Sequence, residues 1–341
     1  MSYHTSTTSR AVSNWLLVVA GLVCLMIIIG GTTRLTDSGL SITEWKPISG
    51  AIPPITQADW EEEFALYQRT TEFQEQNSAM TLQEFEFIFW WEWGHRQLGR
   101  LIGLAFALPL VFFWYQGKLS ARLKPRLLFL LLLGGSQGAI GWWMVASGLS
   151  DRLDVSQYRL ATHLGMAFII LGYTIWLSLE ARFGPPPLRR GQLAGWSFAL
   201  LGLIFLQILL GAFVAGLDAG RIYNTWPLMN GELIPEGYLA GMNVFPAVFE
   251  SHAAVQMNHR WTGYLVAFAV AAYAAAVWFE PRVSLKPFMV ILPALVIAQI
   301  SLGIAALLAV VPLSLSLAHQ AGAILLFIAT LCAAWTARRA V

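Results

Sequence analysis

The chain has 341 residues, of which 57% are hydrophobic and 12% are charged. A soluble domain carries roughly 25% charged residues, so this composition excludes most soluble enzymes and disordered proteins and favours a surface that faces lipid. The net charge of +2 gives no basic footprint for nucleic acid. The two cysteines, Cys24 and Cys332, lie in apolar runs near opposite ends of the chain and match no disulfide or thiolate metal pattern.

Apolar runs long enough to cross a bilayer recur along the whole chain. A spanning helix needs about 20 predominantly apolar residues, because its backbone groups must be satisfied within the segment. Eight runs meet this requirement, at residues 14–34, 95–115, 127–146, 161–180, 195–216, 259–279, 288–310 and 315–335. We therefore predict an all-α integral membrane protein. The first run is interpreted as a retained span, because it continues without a small-residue cleavage site.

Basic residues are concentrated in the two tails and in the short connections that follow the even-numbered spans. Such connections stay in the cytoplasm, so both termini are predicted to be cytoplasmic. The residues on that side are Arg10, Lys118, Arg122, Lys124, Arg126, Arg182, Arg189, Arg190, Arg282, Lys286, Arg338 and Arg339. The two long connections, 35–94 and 217–258, then lie outside the membrane and are expected to be ordered caps.

The sequence contains an internal repeat. The pairs separated by 181 positions are Gly30 with Gly211, Asp37 with Asp218, Gly39 with Gly220, Trp45 with Trp226, Gly50 with Gly231 and Pro54 with Pro235. Residues 92–99 also match residues 256–263. We predict two four-helix bundles, 1–190 and 191–341. Because a repeat with an even number of spans keeps its orientation, a pseudo-twofold axis should run along the membrane normal.

Four of the six histidines lie at the outer starts of the even-numbered spans: His95, His163, His259 and His319. One such residue alone is usually a hydrogen-bonded packing residue, but ionisable groups near the membrane interior are costly and tend to face functional cavities. Two histidines from adjacent helices suit axial ligation of haem iron. Zinc or di-iron would require carboxylates or thiolates beside them, and no Glu-x-x-His pair recurs in both halves, so each pair is predicted to bind haem.

Arginines accompany the first histidine of each half. Arg96 and Arg260 follow directly, and Arg100 lies one turn further on. Two interpretations stay open: pairing with haem propionates at the outer interface, or snorkelling towards the aromatic belt. Of the remaining histidines, His4 lies in the tail, and His252 is expected to be structural or exposed in the second long connection.

The halves differ at one position that bears on chemistry. Glu92 lies three residues before His95, whereas Gln256 lies three residues before His259. A carboxylate in one half and an amide in the other favour a reactive first site and a second site that holds a redox cofactor. Glu92 would accept a proton or stabilise a cationic intermediate. The alternative is a charge that complements the dipole at a helix N-terminus.

The segment GGTTRLTDSGLSI at 30–42, the motifs EWGHR at 92–96 and NHR at 258–260, and the repeated halves closely resemble haem A synthase, over essentially the whole chain. The resemblance implies oxidation of the C8 methyl group of haem O to a formyl group, which gives haem A for terminal oxidases, by successive hydroxylations. It places Glu92, His95 and His163 at the substrate haem in the N-terminal half. In the C-terminal half, His259 and His319 would hold haem b.

The resemblance also bears on location and partners. Some relatives carry a cysteine pair in the first long connection, which this chain lacks, and its long acidic connection is similar to the proteobacterial and mitochondrial type. With no transit peptide visible, we expect a multi-pass protein of a bacterial inner membrane. Haem O and lipid are the implied partners, with haem O synthase, an electron donor and a second copy of the chain as further candidates.

Two other functions also fit a pair of haem sites or a row of histidines. A di-haem b-type cytochrome that oxidises quinol would use both haems to carry electrons. A symmetric permease could line its path with the four histidines, but charged residues are scarce in the middles of the spans.

Overall fold

The computed structural model describes residues 9–149, 152–187, 191 and 193–339. In these residues the chain forms α1 (Arg10–Leu35), α2 (Gln57–Tyr67), α3 (Thr71–Glu75), α4 (Leu82–Tyr115), α5 (Leu123–Val145), α6 (Gln157–Phe183), α7 (Ala194–Gly216), α8 (Val244–Glu250), α9 (His252–Phe279), α10 (Phe288–Leu308) and α11 (Leu313–Arg339). Eight of the described helices, all but α2, α3 and α8, are long and apolar enough to cross a membrane. The prediction of an all-helical, multi-pass membrane protein with eight spans is confirmed.

Two helices begin well before the apolar runs that predicted them. Helix α4 begins at Leu82, where Thr81 and Glu84 form a capping box: the Glu84 carboxylate accepts a hydrogen bond from the Thr81 N–H at 2.8 Å. Helix α9 begins at His252, after the N-cap residue Ser251. The placement of the histidines at helix starts was therefore wrong, because the N-caps Thr81 and Ser251 start these helices before the apolar stretch. Each of the four lies at least one turn inside its helix.

The first connection, residues 36–81, is folded against the start of α4. Its apolar cluster consists of Ile42 and Tyr67 from the connection with Phe85, Ile88 and Phe89 from α4. These five side chains are buried, with exposures of 7% or less. Burial of several aromatic rings stabilises a segment of this size without a sheet or a disulfide. The expectation of an ordered first connection is confirmed.

The second connection, residues 217–251, is held by polar side chains. The Asn224 side-chain amide donates to the backbone carbonyl of Leu307 at 2.9 Å, and the Ser251 hydroxyl donates to the carbonyl of Gly237 at 2.7 Å. It includes the short helix α8. This connection is ordered as well.

The chain divides into two compact units, one made of Asn14–Thr174 and the other of Ile175–Val341 with Met1–Ser13. In the second unit, α9 packs against α7 and α10, and α11 packs against the same two helices. Helices α9 and α11 therefore face each other across a four-helix ring. In the first unit, α4 packs against α5, and the Trp15 indole of α1 donates to the Ala105 carbonyl of α4 at 2.8 Å. The pseudo-twofold axis and the cytoplasmic termini stay predictions.

Glu72 is a buried carboxyl group within the first connection. It is 3% exposed and accepts a hydrogen bond from the Tyr67 hydroxyl at 3.2 Å. Burial raises its pKa to about 8, helped by the negative charges of Asp37, Asp154 and Glu92 and opposed by the Tyr67 hydrogen bond. The folded connection thus binds this proton more tightly than the unfolded chain. Its stability is greatest below pH 4.5 and falls as the pH rises towards about 8.

We expect the variant Glu72→Gln to remove this pH dependence, because a neutral amide keeps the Tyr67 hydrogen bond and carries no titratable proton. Local opening of the wild-type connection should increase by up to about tenfold per pH unit within this window. The measurement is the rate of trypsin cleavage after the exposed Arg69, which reports the open population.

Glu75→Gln is the matched control, since Glu75 is exposed on the same short helix. Because trypsin itself responds to pH, each variant is compared with the wild type at the same pH. Equal pH profiles for Glu72→Gln and the wild type would contradict the assignment.

Candidate functional site

The histidines of the second unit meet inside its four-helix ring. His259 on α9 and His319 on α11 have ring centroids 6.4 Å apart, with their planes at 76°. An imidazole nitrogen binds a first-row metal at about 2.0–2.1 Å, so one metal ion shared by two imidazoles places the ring centres roughly 6 Å apart. The spacing of this pair is that of two ligands on opposite sides of one ion.

The first unit carries the corresponding pair. His95 lies on α4 and His163 on α6, within one compact unit. In each unit the structure therefore brings together the two histidines that the sequence paired.

Each of these imidazoles packs against a glycine of the preceding long apolar helix. A Cβ atom at Gly303 would lie 2.8 Å from Cε1 of His319, which is closer than real Cβ atoms approach other atoms. The other contacts are Gly30 with His95 Nε2 at 3.2 Å, Gly141 with His163 Cε1 at 2.9 Å and Gly211 with His259 Cε1 at 3.1 Å. The absence of a side chain at these positions is what makes room for the rings.

Glutamines are the site residues that sequence reasoning missed. Gln207 donates to the backbone carbonyl of His259 at 2.9 Å, and Gln137 donates to that of His163 at 3.0 Å. Gln299 lies 3.4 Å from His319 Nε2. Gln137 and Gln299 each lie four positions before a glycine, Gly141 and Gly303, so the signal in the sequence was a polar residue one turn before a glycine in an apolar run.

Glu92 is a buried carboxylate with four hydrogen bonds. One oxygen accepts from the Ser41 hydroxyl and the Ile42 N–H, both at 2.8 Å. The other accepts from Arg96 Nη2 at 2.6 Å and Nε at 3.1 Å. Because α4 begins at Leu82, Glu92 lies in the third turn of the helix. The interpretation of Glu92 as a charge at the helix N-terminus is therefore wrong.

Arg96 ties the first connection to α4. Its Nη1 donates to the Glu44 carbonyl at 3.0 Å and its Nη2 to the Ile42 carbonyl at 2.9 Å, in addition to the Glu92 bonds. Arg100 likewise donates hydrogen bonds to the backbone carbonyls of Pro47 at 3.0 Å and Lys46 at 2.9 Å. This clamp on backbone carbonyls is a role that neither sequence interpretation of these arginines included.

The second unit repeats the clamp without the carboxylate. Arg260 donates to the carbonyls of Thr225 at 2.8 Å and Tyr223 at 2.9 Å, and to Gln256 Oε1 at 3.1 Å. The Gln256 amide in turn donates to the Ala219 carbonyl at 2.9 Å. The Nε atom of Arg260 is buried and has no hydrogen-bond partner. An ion pair in one unit is thus replaced by a neutral amide at the matching place in the other.

The two remaining histidines take no part in these pairs. His252 is exposed at the first position of α9, as expected. His4 lies outside the described residues.

The donor set of each pair fits a haem. Among the residues that the structure describes, no group of three or more His, Cys, Asp or Glu side chains could hold a metal ion. Haem iron needs only two axial protein ligands, since the macrocycle supplies the others. Paired, half-buried imidazoles meet that requirement.

Comparison with known proteins identifies the family. Residues 13–331 match the family described as cytochrome oxidase assembly protein, COX15-CtaA. The chain belongs to this family. It is 84% identical to the Heme A synthase of Maricaulis maris (strain MCS10) over 341 residues, which cover 100% of both chains. Identity is 50% over 323 residues with the Heme A synthase of Parvibaculum lavamentivorans, covering 95% of this chain and 93% of the relative. Identity with the Heme A synthase of Caulobacter sp. (strain K31) is 48%, and the match covers 99% of each chain. Membership in the COX15-CtaA family extends over both histidine pairs.

The glycine contacts generate a test of the second pair. We expect Gly303→Ala to displace the His319 ring, because the added methyl group would lie 2.8 Å from Cε1. Alanine favours a helix over glycine by about 1 kcal/mol, so the helix itself is not weakened. The purified variant should hold about 10-fold less haem b than the wild type, as expected for a misplaced ligand shell, measured as the ratio of haem b to protein.

The control is Gly202→Ala in the same unit, where the added Cβ meets nothing within 4 Å. This variant should hold as much haem as the wild type. Full haem content in Gly303→Ala would contradict the proposed packing of His319.

Proposed function

We propose that this chain oxidises the C8 methyl group of haem O to a formyl group by successive hydroxylations, and so makes haem A for terminal oxidases. The observation that carries the proposal is the presence of two half-buried histidine pairs in a chain that matches a protein named Heme A synthase over its full length. The oxidation of a methyl group to an aldehyde removes four electrons, so a redox cofactor in addition to the substrate is consistent with this reaction.

The two pairs differ in their proposed tasks. His95 and His163 hold the substrate haem O and the product haem A, and His259 and His319 hold a resident haem b. Haem b, when bound, supplies one-electron redox chemistry. The difference between Glu92 and Gln256 supports this assignment, because only the first unit carries an ionisable group three residues before its first histidine.

Glu92 and Arg96 have separate roles in this proposal. The Glu92 carboxylate is fixed by Ser41, the Ile42 N–H and Arg96, so it presents a negative charge and a proton acceptor in a defined place near His95. Arg96 balances that charge and holds the first connection over the site. Arg96 and Arg260 each follow a proposed haem ligand by one residue. Contact between these two arginines and the haem propionates is therefore also part of the proposal.

The membrane arrangement belongs to the same proposal. The halves 1–190 and 191–341 are related by a pseudo-twofold axis, both termini are cytoplasmic, and the protein resides in the bacterial inner membrane. The distribution of Lys and Arg supports this orientation. Haem O synthase, an electron donor and a second copy of the chain are the proposed partners.

The Glu92 carboxylate provides the most direct test of the reaction. In cells that lack the gene, we expect haem O to accumulate and haem A to disappear, and the wild-type gene should restore haem A. The Glu92→Gln variant should restore it about 100-fold less well, the scale of a lost acid–base group. The measurement is chromatography of the haems extracted from membranes.

Glu86→Gln is the control, because Glu86 lies six residues earlier on the same helix. It should restore haem A fully. Normal haem A in the deletion strain would refute the enzymatic function and favour the di-haem electron carrier. Normal haem A with Glu92→Gln would refute only the role of Glu92.

A further inference from the structure

Three of the four paired histidines contact a glutamine from the preceding long apolar helix. Gln207 lies on α7 with its Nε2 3.1 Å from His259 Nδ1, in addition to its bond to the His259 carbonyl. Gln137 lies on α5 with its Nε2 3.5 Å from His163 Nε2. Both therefore touch the backbone and the ring of the same histidine.

The third glutamine reaches its histidine in two ways. The side chain of Gln299 lies 3.4 Å from His319 Nε2, and its backbone carbonyl lies 3.1 Å from His319 Nδ1. Each glutamine precedes by four residues the glycine against which its histidine packs. One helical turn thus supplies both the space for the imidazole and a polar group beside it.

The amide oxygens of these glutamines have unused capacity to accept hydrogen bonds. The Oε1 atoms of Gln137, Gln207 and Gln299 are buried without a hydrogen-bond partner, and so is Nδ1 of His163. A buried, unsatisfied polar atom is costly. An imidazole that binds a metal through one nitrogen almost always donates its other N–H to an acceptor. For His319 the backbone carbonyl of Gln299 is such an acceptor, 3.1 Å from Nδ1.

The fourth histidine lacks this partner. The position four residues before Gly30 is occupied by Met26. A Cβ atom built on Gly99 would lie 3.6 Å from the methyl carbon of Met26. A Cβ atom built on the matching residue, Gly263, would lie 3.4 Å from Nε2 of Gln207. The Met26 thioether thus fills in the first unit the space that an amide fills in the second. It has no N–H and is only a weak acceptor.

We propose that Gln137, Gln207 and Gln299 are positioning residues that hold their imidazoles as iron ligands, and that Met26 makes His95 the exchangeable ligand. The inference rests on the proposed function, which assigns the substrate haem to His95 and His163. A site that receives haem O and releases haem A must break its iron–imidazole bonds in every cycle. A site with a resident haem gains nothing from a weak bond, and both of its histidines carry a glutamine.

The strength of the bond between His95 and iron can be measured with carbon monoxide, which binds ferrous haem when an axial ligand dissociates. In the reduced, full-length, haem-loaded wild type we expect carbon monoxide to bind at one of the two haems. Met26→Gln supplies the missing amide, so the dissociation constant of carbon monoxide there should rise about 10- to 100-fold, the usual effect of one outer-shell partner on a metal site. The absorbance change on titration gives this constant.

Two further variants distinguish the amide from a change in packing. Met26→Leu keeps an apolar side chain of similar size and should bind carbon monoxide as the wild type does. Gln207→Met makes the reverse change in the second unit and should render the resident haem reactive towards carbon monoxide. The result for Gln207→Met does not depend on how well a variant at Met26 folds.

The outcomes separate this inference from the function on which it rests. Equal carbon monoxide affinity in Met26→Gln and Met26→Leu, or a second haem that stays unreactive in Gln207→Met, would overturn the inference while haem remains bound. A wild-type protein that binds no haem would refute the proposed function itself, and this inference with it.

Discussion

A bundle that faces lipid offers an imidazole neither space nor a polar partner unless a neighbouring helix provides them. The histidines of this protein obtain space from a glycine on the helix before them, where a Cβ would lie between 2.8 and 3.2 Å from the nearest ring atom. For three of the four histidines, a glutamine one turn before that glycine provides the polar partner. The proposed binding of haem depends on this local arrangement, because a ligand must be held in orientation by its surroundings.

The connections are attached to the same helices by arginine. Arg96 and Arg260 each donate to two backbone carbonyls of a connection and to the side chain four residues earlier. The clamp has an ion pair with Glu92 in one unit and a neutral contact with Gln256 in the other. The same scaffold therefore carries a carboxylate at this position only in the unit where the substrate is proposed to bind.

Much of this arrangement could be predicted from the sequence. The spans follow from apolar runs, and the histidine pairs follow from the repeat. The early start of α4 was missed because Thr81 and Glu84 are polar, and a hydropathy pattern does not register a capping box. The arginine clamps were missed because their acceptors are backbone carbonyls, which no residue type reveals. The contrast between Met26 and Gln207 was visible in the repeat, but only the structure shows that the two side chains fill the same space.

The central claim is that one fold holds two haems for different purposes, a substrate between His95 and His163 and a resident haem b between His259 and His319. The direct test is to purify variants with one histidine of either pair changed to alanine and to identify the haems that each retains. Variants of the first pair should keep haem b and lose haem O and haem A, and variants of the second pair should lose haem b. Loss of the same haem from both sets of variants would contradict the account.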